Sequence, residues 1–160
     1  MLIDYTSYDN IRAALGVSDD DLPDSVLSLS LYEGVLTQEF EGVDLSVEAL
    51  YATTKALVSP TAEETRFLSA CDMFATYAVA KQLTASLPLF AARQMTDGKA
   101  QVSRFDNPYK DVITQVIGQY EAARARLASA FAVLNSSTTT VVSKTYFAVI
   151  SPSYDPVTGL

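Results

Sequence analysis

Few side chains in this sequence could carry out chemistry. The 160 residues contain no histidine, the most common general base and metal ligand in proteins. The remaining candidates are the single cysteine Cys71, the acidic pair Glu63-Glu64, the run Asp19-Asp20-Asp21, and Ser69 with Lys81 twelve residues later. No CxxC pair, phosphate-binding loop or dinucleotide-binding glycine motif accompanies them.

Each candidate has a structural explanation that needs no reaction. Glu63 and Glu64 fall in the first turn of a predicted helix, where the helix dipole favours carboxylates. The aspartate run lacks the alternating spacing and the closing glutamate of a calcium loop. Cys71 occupies a core position of the same helix, so we interpret it as a small hydrophobic residue. The sequence therefore predicts no enzyme activity, no cofactor and no metal site.

Two long helices are predicted to organise a mainly α helical bundle. The first runs from Thr61 to about Leu87, because Thr61 and Glu64 have capping-box spacing and apolar residues then recur with a helical period. The second runs over residues 107–134, where apolar residues keep a three-and-four spacing. Each is roughly 40 Å long at a rise of 1.5 Å per residue, so we expect two helices of equal length to pack antiparallel.

Three shorter helices are predicted ahead of this pair. The first covers residues 4–17, with Gly16 suited to a left-handed end. The second begins at Pro23 and ends near Gly42, and the third lies within residues 44–59. The residues of the second helix that we expect to face the core are Leu27, Leu31, Tyr32, Val35 and Phe40.

A short β-hairpin is predicted at about residues 93–105. Asp97-Gly98 is a strong two-residue turn signal, and its flanks can form short strands. Arg93, Lys99 and Arg104 make this segment basic. It is either an exposed polar turn, or a protruding loop that contacts a neighbouring chain or a nucleic-acid backbone.

Residues 1–135 are predicted to form the helical domain, and residues 136–160 an extended C-terminal arm. A polar linker begins at Asn135, and the segment VVSKTYFAVI then predicts a strand. A single strand cannot satisfy its own backbone hydrogen bonds, so it docks on its own domain or pairs with another chain. We favour another chain, with contacts from Tyr146, Phe147, Val149, Ile150 and Tyr154.

The charge is concentrated in the first third of the chain. Residues 1–50 carry eleven acidic side chains and one basic side chain, Arg12, whereas residues 51–160 carry eight acidic and ten basic ones. This acidic surface either aids solubility or repels nucleic acid and meets a basic partner. An ordinary DNA-binding module is disfavoured, because it needs a basic patch. The acidic residues that we expect to stay in water include Asp19, Asp20, Asp21, Glu39 and Glu41.

Neither membrane insertion nor secretion is predicted. No apolar run approaches the roughly 18 residues of a membrane-spanning helix. The first ten residues lack the basic and apolar regions of a signal peptide. A single cysteine cannot form an internal disulfide, which fits a reducing cytoplasm or a particle assembled there.

The order of these segments resembles that of the head–tail connector proteins of tailed bacteriophages, also called adaptors or head-completion proteins. The segments that carry the resemblance are IRAALGVSDDDLPD near the start and TDGKAQVSRF before the last helix. The resemblance covers the architecture of residues 1–135.

The resemblance implies a structural protein of the virion, assembled in the host cytoplasm. Such proteins form a homo-oligomeric ring, usually of twelve copies, below the portal protein at the capsid vertex. The ring extends the channel for double-stranded DNA, which passes without sequence-specific binding, and it docks tail or neck proteins. The two long helices would form the ring wall, and the arm would contact the portal or a neighbouring subunit. The hairpin would be a loop at a ring edge or in the lumen, and the acidic residues would face the channel.

Two other functions fit the same sequence pattern. One is a different phage neck component, such as a tail-terminator protein. The other is a small helical protein-interaction module of a host. Assembly in the presence of a portal protein separates the connector from both.

Overall fold

The computed structural model describes residues 2–85, the backbone of residues 94–97 and 100–103, and residues 110–138, with side chains up to Ser136. Within these ranges the chain is mainly α-helical, with a 3-10 turn at Leu2–Asp4 and six α-helices. The helices are α1 (Tyr8–Leu15), α2 (Asp24–Leu27), α3 (Ser30–Glu41), α4 (Val47–Lys55), α5 (Ala62–Leu83) and α6 (Lys110–Thr138). None of the described helices is both long enough and apolar enough to span a bilayer.

Helices α5 and α6 pack together and run antiparallel. Phe67, early in α5, contacts Phe131, late in α6, with ring centroids 6.4 Å apart. Phe74, two turns further along α5, contacts Tyr120, three turns earlier in α6, at 5.7 Å. The predicted antiparallel pair is therefore confirmed. The prediction of equal length is wrong, because α5 has 22 residues and α6 has 29.

Local caps decide where several helices begin and end. At the start of α5 the backbone N–H of Thr61 donates to Glu64 Oε2 (2.6 Å), and the N–H of Glu64 donates to Thr61 Oγ1 (3.2 Å). This reciprocal pair is the predicted capping box. Gly16 ends α1 with φ of 68°, the left-handed conformation that glycine adopts without strain.

The predicted continuous helix from Pro23 to Gly42 is wrong. The chain forms α2 and then α3, and between them Leu29 has an extended backbone with ψ of 134°. The break changes the helical phase, so Leu31 is 59% exposed instead of facing the core. Leu36, which the uninterrupted pattern does not select, is buried.

Both long helices end at different positions from those predicted. α5 stops at Leu83 instead of Leu87, and the Thr84 hydroxyl donates to the carbonyl of Lys81 in the last turn. α6 continues to Thr138, through the first residues of the predicted polar linker. Ser136 donates its hydroxyl to the carbonyl of Val133, so a polar residue closes this turn instead of ending the helix.

The two described strands, β1 (Gln94–Asp97) and β2 (Ala100–Ser103), pair antiparallel. Gln94 lies opposite Ser103, and Asp97 lies opposite Ala100. Residues 98 and 99, between the strands, and the residues flanking them lie outside the described ranges. The structure therefore shows the backbone pairing of the two strands. The turn at Asp97-Gly98 and the loop's contacts stay predictions.

A chain of aromatic rings crosses the core from the N-terminal turn to α6. The ring of Tyr5 contacts Tyr51 of α4 and Phe40 of α3, at 4.5 and 4.9 Å between centroids. Phe40 then contacts Phe74 of α5 at 5.4 Å, and Phe74 contacts Tyr120 of α6. Phe40 and Phe74 are fully buried. These contacts join the short acidic helices to the long pair in one core.

Candidate functional site

An open groove of about 640 Å³ lies between the first half of α5 and the second half of α6. We call it the α5–α6 groove. Ser69, Ala70 and Met73 line it from α5. Its α6 side is formed by Ala123, Ala125, Arg126, Ser129, Ala130 and Val133, and Glu63 and Arg66 complete its lining.

Small side chains at helical spacing create the groove. Ala123 and Ala130 are buried at the α5–α6 contact, whereas Ala125 and Ser129 on α6 are exposed. Because these side chains are short, they leave a depression beside the larger core residues of the two helices. Ser69 and Ala70 have the same effect on α5. The sequence signal was the repeat of alanine and serine at three- and four-residue intervals on α6, which the search for catalytic residues did not use.

The groove also exposes apolar surface to water. Met73 is 39% exposed and Val133 is 42% exposed. The antiparallel packing places Met73 at the end of the groove near Tyr120, and Val133 at the end near Phe67. A concave surface with exposed apolar side chains has the shape and chemistry to accept apolar side chains of a peptide or another protein.

Glu39 of α3 contacts side chains of both α5 and α6. Its carboxylate lies 3.2 Å from Lys81 Nζ of α5 and accepts a hydrogen bond from the hydroxyl of Tyr120 of α6. The Lys81 ammonium also lies 3.7 Å from the centroid of the Tyr120 ring. The expectation that Glu39 stays fully in water is therefore wrong, since its side chain is only 25% exposed and is paired.

These contacts change the pKa values of both partners. Burial raises the pKa of Tyr120, and its hydrogen bond to the Glu39 carboxylate raises it further. For Lys81, partial burial acts to lower the pKa, but the hydrogen bonds to Glu39 and Tyr120 outweigh it and the pKa is raised. Glu39, Lys81 and Tyr120 thus form a structural cross-link between α3, α5 and α6.

Asp19, Asp20 and Asp21 lie exposed in the loop between α1 and α2. Asp21 accepts hydrogen bonds from the hydroxyl of Ser18 at 2.8 Å and from its backbone N–H at 3.1 Å, and these lower the pKa of Asp21. Glu41, at the end of α3, is also exposed. The predicted exposure of these four acidic residues is confirmed.

Arg12 is a buried residue that the sequence analysis did not assign to a site. Its Nε donates to the carbonyl of Leu22 at 2.8 Å, and its other nitrogens pair with Asp9 and Asp24. The hydrogen bond to Asp24 raises the pKa of Arg12 despite the opposing effect of burial. Arg12 holds the acidic loop against α1. Arg12 is the single basic residue among the first 50, and this was the signal in the sequence that it pairs with nearby acidic residues.

The candidate nucleophiles have structural surroundings. Cys71 is fully buried, and burial raises the pKa of its thiol, which confirms it as a core residue. Ser69 and Lys81 are separated by about 18 Å along one helix, so they cannot form a catalytic pair. Within the described residues, no group of three or more cysteine, aspartate or glutamate side chains could hold a metal ion.

Two predicted sets of contact residues lie outside the described residues. The first is the basic set around the predicted hairpin, Arg93, Lys99 and Arg104. The second is the arm set, Tyr146, Phe147, Val149, Ile150 and Tyr154. Both sets therefore stay predictions.

Comparisons with known proteins identify no relative. No protein-family model, no curated protein and no solved structure matches this chain.

Proposed function

We propose that this protein is a head–tail connector of a tailed bacteriophage, which forms a ring below the portal, extends the DNA channel and docks the tail. The observation that supports this most is the packing of short acidic helices against one long antiparallel pair, α5 and α6. A ring wall needs stiff elements of this kind that can stand side by side. The order of the segments is also the one on which the resemblance to connectors rests.

The acidic surface has a specific part in this proposal. Asp19, Asp20, Asp21 and Glu41 are exposed and would line the channel, where negative charge keeps DNA from adhering as it passes. Glu39 would contribute less to this negative charge, because it pairs with the positive charge of Lys81. A ring structure in which the α1–α2 loop lies far from the lumen would contradict this assignment.

The remaining contacts are assigned by the same proposal. The basic side chains Arg93, Lys99 and Arg104 would contact a neighbouring subunit or the passing DNA backbone at a ring edge. The arm, with Tyr146, Phe147, Val149, Ile150 and Tyr154, would contact the portal or a neighbouring subunit. We expect a homo-oligomer in the virion, usually of twelve copies for such rings, and no cofactor.

Assembly with a portal protein tests this function. The purified chain, alone and mixed with the portal protein of the same phage, is measured by light scattering and imaged by electron microscopy. We expect rings, either from the chain alone at high concentration or only when portal is present. A chain that stays monomeric and does not bind portal would contradict the connector.

The α5–α6 groove favours a second candidate function, a small helical protein-interaction module. Its exposed Met73 and Val133 offer apolar contacts that such a module needs. The same assembly measurement separates the two functions, since a module outside the virion has no reason to bind portal. A different phage neck protein would assemble into rings without portal contact.

A further inference from the structure

One end of the α5–α6 groove lies near the last turns of α6. Phe67 and Phe131 are partners across the helix pair, so the start of α5 lies beside the last turns of α6. Val133 lines this end of the groove, and α6 continues only five residues further, to Thr138. The remaining 22 residues of the sequence, 139–160, follow this point in the chain.

The composition of residues 145–150, TYFAVI, complements the groove. Six extended residues span about 20 Å, and the α6 side of the groove, from Ala123 to Val133, spans about 15 Å. The groove is lined by small side chains, whereas the segment carries large apolar ones. Arg66 and Arg126 border the groove and are exposed, so their guanidinium groups can stack on the aromatic rings of the segment.

The residues between α6 and this segment decide which groove it reaches. To enter the groove of its own chain, the backbone has to reverse direction directly after Thr138. Residues 139–144, TTVVSK, contain four β-branched residues, and Ser143 is the single member of the residue types that dominate turns. By its composition such a run favours an extended backbone, and this disfavours the reversal that the groove of the same chain requires.

We propose that the α5–α6 groove binds residues 145–150 of a second copy of this chain. Each copy would donate its segment to one neighbour and receive a segment from another, which is a head-to-tail contact that closes into a ring. The proposal rests on the homo-oligomeric part of the proposed function, and it adds the site and the segment that join the copies.

Site-specific cross-linking between two different chains tests this proposal. One chain carries a tag and Met73→Cys, and the other is untagged and carries Val149→Cys. The mixture is treated with a short bismaleimide, both alone at high concentration and with portal protein. We expect a cross-linked product that contains one chain of each kind. The native Cys71 is fully buried, so we expect it to react little with the bismaleimide. The wild-type chain, which carries only this cysteine, measures the background product.

Two matched variants control for accidental encounters and for misfolding. Thr53→Cys places the thiol on an exposed position of α4 and should give no product above the background. Ser129→Glu places a carboxylate in the groove at an exposed position, and circular dichroism checks that the variant keeps its helical signal. It should weaken the contact about tenfold or more, equivalent to about 1.4 kcal/mol, because the larger charged side chain occupies the space that the segment would fill. Thr53→Glu is its control and should not weaken it.

The outcomes separate this inference from the proposed function. A chain with both cysteines that gives a product within one chain, and no product between chains, would overturn the second-copy contact. No product in either condition would also overturn it, even if rings form with portal. Products between chains without portal binding would support the groove contact and contradict the connector.

Discussion

At the scale of single residues, polar side chains connect the helices of the fold. Glu39 joins Lys81 and Tyr120, and Arg12 joins Leu22 to two aspartates. Among the described residues, no buried side-chain nitrogen or oxygen lacks a hydrogen-bond partner. Leaving such a group unpaired in the interior would cost about 1–3 kcal/mol, so these pairings contribute to the stability of the fold.

Replacing Glu39 by glutamine tests the importance of its contacts. Glu39→Gln keeps the shape but removes the charge that Lys81 and Tyr120 contact. We expect the free energy of unfolding to fall by about 1 kcal/mol, because Glu39 and Lys81 are 25% and 38% exposed and water screens the pair. Urea denaturation followed by circular dichroism measures it.

The control for this variant is Glu41→Gln, which changes an exposed carboxylate two residues away. Equal effects of the two substitutions would show that Glu39 stabilises the fold only through the net charge of the protein.

The pKa values of Lys81 and Tyr120 are raised in the folded protein. The stability that they contribute is therefore complete below about pH 10 and is lost as the pH rises through the raised values. The difference between the wild type and Glu39→Gln should shrink in that range.

At the scale of the elements, short signals in the sequence decide where helices start and stop. The capping box at Thr61 starts α5, and Gly16 ends α1. The break at Leu29 has no comparable signal, because no proline or glycine separates α2 from α3. Leu27 and Tyr32 are both buried across this break, so tertiary packing is the physical reason that we see for it.

Replacing Thr61 by alanine tests the contribution of the capping box. Thr61→Ala removes the oxygen that accepts from the N–H of Glu64. We expect a loss of about 1 kcal/mol in the free energy of unfolding, and a much smaller loss for Thr61→Ser, which keeps the hydroxyl. Thr65→Ala, inside the same first turns, serves as the control. A cost as large for Thr65→Ala would mean that the cap is not the cause.

At the scale of the whole molecule, two long helices carry the fold and leave a groove on their outer side. The aromatic chain from Tyr5 to Tyr120 holds the acidic helices on one side of this pair. The groove lies along the first half of α5 and the second half of α6, where Met73 and Val133 face water. The described core is built from residues 2–85 and 110–136.

Deleting residues 141–160 tests the predicted division into a helical domain and a C-terminal arm. We expect the helical circular dichroism signal to persist and the free energy of unfolding to change by less than about 0.5 kcal/mol. Self-assembly and assembly with portal should be lost, as measured by light scattering. Deleting only residues 156–160 keeps Tyr146 to Tyr154 and should retain assembly. If the longer deletion abolishes cooperative unfolding, the arm belongs to the core of its own chain.

The sequence alone determined the features that depend on local chemistry. The capping box at Thr61, the left-handed end at Gly16 and the long helical periods of α5 and α6 follow from neighbouring residues, and all are confirmed. Burial of Cys71 also followed, from its position on an apolar face.

Only the tertiary structure decided the features that depend on residues far apart in the chain. Glu39 meets Lys81 and Tyr120, which are 42 and 81 positions later, so no local pattern could predict that its charge is paired. Which residues of α3 are buried depends on which face of α3 packs against α5. The α5–α6 groove requires small side chains from two helices at once. In each case the free energy comes from contacts that the chain makes only after its helices have packed together.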